Sequence, residues 1–292
     1  MKVLISTDTS CVMEYGLLEK NGINVFPLNV IIDGQEYLDG VTINQDELCQ
    51  AMRSGKDIKT STPPLGQIYE YFENLFSEGY DKIIHFTISS KLSSMYDLFN
   101  NVANNEFKGK LYVIDAYSVS AIMLSHVLYA KEEVAKGTDV EEIVKAVEER
   151  KKKSSVLFVP ENLTALKNGG RISPTVALIG NAIGIKPVIS LKEGALEKEG
   201  VTRHVRKTMI EGLENFKLNY PESEFDYTIV KFDAKPEVFD YILDNAKKIF
   251  PNKKILVGML PINVCAHCGP GTVGIIASQK MNGKSLSEYL SD

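Results

Sequence analysis

The chain has 292 residues, with 33 Lys and Arg against 38 Asp and Glu, a formal net charge of −5, and 44% hydrophobic residues. That balance excludes a disordered chain, which has too few apolar side chains to offset chain entropy, and mild acidity gives no footprint for a nucleic-acid partner. No apolar run approaches the ~18 residues of a membrane span, Asp8 interrupts the N-terminal run MKVLIST too early for a signal peptide, and four scattered cysteines read as reduced thiols, so a cytoplasmic location is expected.

Residues 2–7 are rich in Val and Ile and read as a buried strand opening an α/β unit. A helix is expected at 10–20, stopped by Gly22, and a second strand at 23–32 before the Asp33-Gly34 turn. Asn44 with Glu47 three residues on forms a capping-box pattern and predicts a helix at 45–53. Thr62 before Pro63 repeats the logic of an N-cap with proline at the first helical position, for a helix to about residue 76. Strands are expected at 82–87 and 110–115, separated by a Ser-rich loop and a helix from near Ser93, and helices at 119–135 and 140–152. Alternation of this kind predicts a mainly parallel sheet with right-handed crossovers.

Past residue 153 the character changes. Strands are expected at 155–159, 186–191, 227–232 and 254–260, a short helix at 161–167, and longer helices at 205–216 and 235–249. Glycine-containing turns over 187–202 suit antiparallel pairing. The expected fold class is α/β in two domains. Residues 1–153 hold a mainly parallel sheet, and residues 154–292 a mixed or antiparallel one.

Ligands of open α/β sheets bind beyond the carboxyl ends of the strands. Three hydroxyl-rich stretches are candidates for such a place: Thr7 to Ser10, Thr60 to Pro64, and Ser89 to Ser94. Helix N-termini with Ser and Thr hydroxyls suit a phosphate or carboxylate; each stretch taken singly reads as an ordinary N-cap, and three at one expected sheet edge point toward a shared anion site. A second constellation is Cys265-Ala266-His267-Cys268-Gly269-Pro270-Gly271, in which His267 is expected to open a His-Cys-Gly-Pro-Gly turn of restricted backbone. Its C-x-x-C pair has no second pair to complete a zinc site. A third is Arg171 after Gly169-Gly170, where a guanidinium can orient a carboxylate or form a structural ion pair. His85 in a strand and His126 in a helix read as structural. The basic cluster Arg203 to Lys207 sits at a helix start, where cations are unfavourable, and suits an acidic partner, a phosphate or a plain exposed face. The chain has no G-x-x-x-x-G-K-[ST] loop and no dinucleotide glycines, so it is not expected to use ATP by itself.

Taken in order, Thr7-Asp8-Thr9-Ser10, Thr60-Ser61-Thr62-Pro63, Ile88 to Tyr96, Gly169-Gly170-Arg171-Ile172 and His267 to Gly271 resemble the motifs of the DegV family of bacterial fatty-acid-binding proteins. The resemblance spans about residues 2–279. It implies a two-domain fold holding one long-chain fatty acid, no cofactor, and an ATP-dependent fatty acid kinase subunit as partner. That kinase phosphorylates the presented carboxylate to an acyl phosphate for phospholipid synthesis. Transient contact with a membrane is compatible with such a role. By position, the implied carboxylate contacts are Ser61 or Thr62, Ser93 and Ser94, and His267, with Arg171 as a nearby cation. The basic segment at 203–207 resembles one that faces the kinase. Cys268 stands where the family has Thr, Ser94 where it has Gly, and a tail from Lys280 to Asp292 runs past the usual end.

Burial of an acyl chain contributes roughly 0.8 kcal/mol per methylene, so the head group mainly sets orientation. Expected apolar walls are Phe158, Ile172, Val176, Leu178, Ile179, Ala182, Ile183, Ile185 and Val188; a core helix over 175–185 explains that run equally well. The competing expectation is a Ser/His acyl-transfer or hydrolytic enzyme pairing Ser93 with His267 and Asp8. Against it, the G-x-S-x-G elbow is missing.

Overall fold

The computed structural model describes residues 1–14, 16–171 and 184–290. Strands β1 (Val3–Asp8), β2 (Asn24–Phe26), β6 (Lys82–Thr87) and β7 (Leu111–Asp115) form a parallel sheet in the order β2-β1-β6-β7. Side chains alternate across a strand, and both faces of a parallel sheet are covered. Leu4 and Ile83 accordingly pack with Ile68 and Phe72 of α3 (Leu65–Ser77) and Phe99 of α4 (Met95–Glu106). Their neighbours Ile5 and Ile84 face the opposite way, toward Ile122 and Val127 of α5 (Ser120–Lys136) and Ile143 of α6 (Val140–Arg150). Helix α5 is apolar nearly all round because it is enclosed by both halves of the chain.

Among the described residues, the second half forms a sheet of six strands. These are β8 (Ser155–Val159), β9 (Lys186–Lys192), β10 (Ala195–Thr202), β11 (Phe225–Phe232), β12 (Leu256–Met259) and β13 (Thr272–Gln279). Their order is β10-β9-β8-β13-β11-β12; only β11 and β12 run parallel. The two-residue period again sorts the faces. Val159, Ile229 and Ile275 pack under α8 (Val205–Asn219) and α9 (Pro236–Ile249). Phe158, Val230 and Ile276 point the other way, toward the first half. The expected fold class, parallel sheet first and mixed sheet second, is the one observed.

Several local expectations are corrected. Residues 10–20 are not one helix but a 3-10 turn, Thr9–Cys11, and a short α1 (Leu17–Lys20). Asp8 draws the chain into that turn by accepting the Ser10 N–H at 2.8 Å. Residues 23–32 are two strands in different sheets, broken after Phe26 at Pro27. The second, β3 (Asn29–Ile32), lies between β4 (Gln35–Leu38) and β5 (Ile58–Ser61) in a small antiparallel sheet that periodicity did not reveal. Thr62 is not an N-cap: the N-cap of α3 is Pro64. A residue before proline is kept out of the helical region, and Pro63 stands there. The loop helix expected at 161–167 is α7 (Thr164–Asn168). His267 lies not in a turn but on α10 (Ile262–Cys268). The capping box at Asn44 does open α2 (Gln45–Arg53).

The C-terminal tail has a structural role. Its α11 (Leu286–Tyr289) packs on α5, Leu286 N–H donates to Asp226 of β11 at 2.7 Å, and Asn282 donates to Glu133 of α5 at 3.0 Å. The tail thus fastens the six-stranded sheet to the helix shared by both halves.

Candidate functional site

The loop after β6, strand β5, α7 with its Gly-Gly-Arg exit, and α10 converge on one cavity of about 450 Å³. That is within the usual size of a small-molecule site. Its deep walls are apolar: Phe158, Leu191, Val230 and Ile276 from the six-stranded sheet, Ile88 and Leu92 from the first half. Ser61, Thr62, Ser93, Ser94, Arg171 and His267 all border it. Thr62 and Ser94 are exposed; the other four are half-buried.

His267 is held from two sides. Its Nε2 is hydrogen-bonded to Thr60 Oγ1 at 2.9 Å. Its Nδ1 faces Gly169 and has no hydrogen-bond partner among the described residues. A Cβ placed on Gly169 would stand 2.1 Å from that nitrogen. Gly169 has an ordinary helical φ of −75°, so space rather than backbone freedom requires a glycine here. Freedom is needed after α10, where Gly269 takes φ +79°. Burial, then the nearby Arg171 charge, lowers the His267 pKa to about 4, so the imidazole is neutral near pH 7.

Arg171 ties two of the loops together. Its Nε donates to Leu92 O at 3.1 Å and its Nη1 to Gly169 O. The serine loop is wound by Ser93 N–H on Ser89 O at 3.1 Å and Lys91 N–H on Ser89 Oγ at 3.2 Å. Ser61 Oγ is enclosed and unpartnered among the described residues. Hydroxyls, one guanidinium and a neutral imidazole at one end of an apolar chamber can hold an amphiphile with an anionic head. No cluster of His, Cys, Asp or Glu suited to a metal occurs among the described residues, and all four cysteines are free.

A family model described as "Uncharacterised protein, DegV family" matches residues 2–280. The chain belongs to the DegV family. It is 32% identical over 285 residues to a DegV domain-containing protein of Staphylococcus aureus, covering 96% of this chain and 99% of that one. Among solved structures it is similar to one described as fatty acid binding of a DegV family protein from Thermus thermophilus. The TM-score is 0.85 at 27% identity, covering 96% of this chain and 100% of that one. It is also similar to a fatty acid binding DegV family protein from Streptococcus agalactiae, TM-score 0.86, covering 97% and 100% of the two chains. At 23% identity that second likeness speaks for the fold alone.

In this DegV family member the Ser/His/Asp relay expected of a hydrolase is not assembled. Ser93 Oγ accepts the Met95 N–H at 3.4 Å, whereas His267 Nε2 is engaged by Thr60. Asp8 is buried outside the cavity, with its carboxylate on the N–H groups of Ser10 and Ile88, both at 2.8 Å. Thr7 to Ser10, the first hydroxyl stretch, therefore braces the loops and does not border the cavity. Of the expected walls Phe158 is one; Val188 packs in the opposite cluster under α8, and Ile185 does not border the cavity. Ile172, Val176, Leu178, Ile179, Ala182 and Ile183 lie outside the described residues. Two residues of the site lie beyond those expected: Thr60, the partner of His267, and Asn29, which pairs directly with Ser61 across β3 and β5 and borders the cavity. An asparagine in a strand otherwise made of Val and Ile was the available signal.

Proposed function

We propose that this protein binds one long-chain fatty acid, with its tail along Phe158, Leu191, Val230 and Ile276 and its carboxylate at Thr60, Ser61, Thr62, Ser93, Ser94, Arg171 and His267. It is a carrier, not a catalyst. A separate ATP-dependent kinase subunit phosphorylates the presented carboxylate, and the acyl phosphate enters phospholipid synthesis. The carrier works in the cytoplasm and collects its ligand in transient contact with a membrane. The boundary near residue 153 separates the two domains that share the ligand.

The observation that carries this proposal is a single cavity that joins apolar walls to a group of hydroxyls, Arg171 and His267. The fatty acid bound by the Thermus thermophilus relative supports it. A tail of about 14 methylenes gains up to about 11 kcal/mol on burial before ordering costs. Hydroxyl donors then orient the head without a deeply buried ion pair, whose desolvation is expensive. They also leave an oxygen free to attack a phosphoryl group.

Native mass spectrometry and lipid extraction of the purified protein test the proposal. One acyl chain per protein is expected. An empty protein that also takes up no added palmitic or oleic acid overturns it. Mixing the loaded protein with the kinase and ATP is expected to yield acyl phosphate, and no product from loaded protein overturns the presentation step.

A further inference from the structure

The loop that carries Ser93 and Ser94 belongs to the first half of the chain, yet its opening turn is held by the second. Ser89 is the hub of that turn. It is fully buried and does not itself border the cavity. Its carbonyl accepts the N–H groups of Leu92 at 2.9 Å and Ser93 at 3.1 Å, and its own N–H donates to Ser118 O at 3.2 Å. Its Oγ accepts the Lys91 N–H at 3.2 Å and donates to Gly194 O at 2.8 Å. All three polar atoms of Ser89 are thus engaged within the protein.

Gly194 and Glu193 join β9 to β10. They take φ +78° and +48°, the positive values that a two-residue hairpin needs for its turn to match the twist of its strands. A Cβ on Gly194 would stand 2.6 Å from Ser89 Oγ and 3.1 Å from the Tyr117 ring, so the turn sits directly on the serine loop. Two residues to either side of the turn, Leu191 and Leu196 pair across the hairpin, and both border the cavity. One hairpin therefore supplies apolar wall and, at its tip, the acceptor that holds Ser89.

A hydroxyl selects its ligand only where the atoms that carry it are themselves fixed. We propose that Ser89 is a positioning residue for the acid end of the ligand: its hydroxyl, held on the Gly194 carbonyl, sets the serine loop so that Ser93 and Ser94 meet the carboxylate. The β9–β10 turn then governs recognition of the head without touching it. The proposal rests on the fatty-acid reading above and adds the device that keeps its head-group contacts in place.

The test is displacement of a fluorescent long-chain fatty acid from the purified full chain by palmitic acid and by hexadecanol, which shares the tail and lacks the carboxylate. The preference for acid over alcohol reads the head-group contacts apart from the tail. Ser89→Ala is expected to lower that preference about threefold to tenfold, the worth of one hydrogen bond. Hexadecanol, bound through the shared tail, should keep its own affinity within about twofold. Gly194→Ala should act in the same direction, and Ser89→Cys, a weaker donor of similar size, should fall between wild type and Ser89→Ala. Glu193→Gln, which removes only an exposed ion pair with Lys152, should leave the preference unchanged. If either alanine variant does not fold, Ser89→Cys and the remaining variant decide. The positioning role is overturned if the preference survives Ser89→Ala and Ser89→Cys, if acid and alcohol weaken equally, or if Glu193→Gln lowers the preference as much. Failure of palmitic acid to displace the probe from wild type, or no preference for it over the alcohol there, removes the fatty-acid reading itself.

Discussion

Two cavities of similar size lie on either side of α10. One, of about 450 Å³, is walled by Phe158, Leu191 and Ile276; the other, of about 510 Å³, by Arg53, Lys56, Asp57 and Glu161. They share Cys268, and β5 passes from Ile58 beside the second to Thr60 and Ser61 beside the first. Volume therefore does not distinguish them; the state of their polar groups does. In the charged cleft those groups already serve one another: Arg53 reaches Glu161 at 2.8 Å and Asp233 at 2.7 Å, and Asn162 accepts the Thr164 N–H at 2.8 Å. In the apolar cavity Ser61 Oγ and His267 Nδ1 are unpartnered among the described residues, beside walls that favour an alkyl chain. A satisfied cleft holds the fold together, whereas an unsatisfied rim over an apolar chamber is suited to a ligand.

Substitutions can break this contrast. The largest expected effect is Val264→Trp in the apolar wall. Excluding about three methylenes removes ~2.4 kcal/mol, so fatty-acid affinity should fall about 50-fold in a displacement titration. Next come His267→Ala and Ser93→Ala at the polar end. Loss of a hydrogen bond to a charged head should lower kinase-coupled phosphorylation about tenfold to a hundredfold, and lipid retention by much less. Equal loss of both would contradict the separate roles of head and tail. Gly169→Ala should follow His267→Ala in direction, because its methyl group occupies the place of the His267 Nδ1 edge; phosphorylation and melting temperature report it together.

A pH comparison sharpens the account from behind the cavity. Burial raises the Asp39 pKa to about 7, with the Asn263 N–H opposing. The folded protein then keeps a proton that the unfolded chain releases, so this stability is complete below the ordinary carboxylate value of 3.8 and is lost as pH rises toward about 7. Asp39→Asn removes that loss. Its melting temperature should gain on wild type between about pH 4 and about pH 7; a constant difference would refute the raised value. The smallest effect is expected from Arg53→Ala in the charged cleft. Its ion pairs are half-exposed, so the stability cost is about 0–1 kcal/mol, with unchanged lipid affinity.

The parallel sheet, the mixed sheet and most long helices were legible because their side chains keep a period of two or 3.6 residues. The six residues named for the site also fall around a single cavity. Less legible were features made by contacts distant in sequence. The strands β3, β4 and β5 are only four residues each, and β3 and β5 pack against α10 from far along the chain, so pattern alone gave no sheet. His267 looked like a turn residue because Gly269-Pro270-Gly271 follows it, but Ile262 and Cys265 are buried and turn the preceding residues into a helix. Thr60 was hidden for the same reason: its partner lies 207 residues away.

The central claim is that apolar walls hold the tail while hydroxyls and His267 hold the acid. Its most direct test is a crystal structure of the protein with a bound long-chain fatty acid. The account predicts the carboxylate within hydrogen-bond distance of Ser93 or Ser61 and of His267, with the tail running past Phe158 and Ile276. An acid bound in the charged cleft by Arg53, or a chamber that stays closed to the tail, would contradict it.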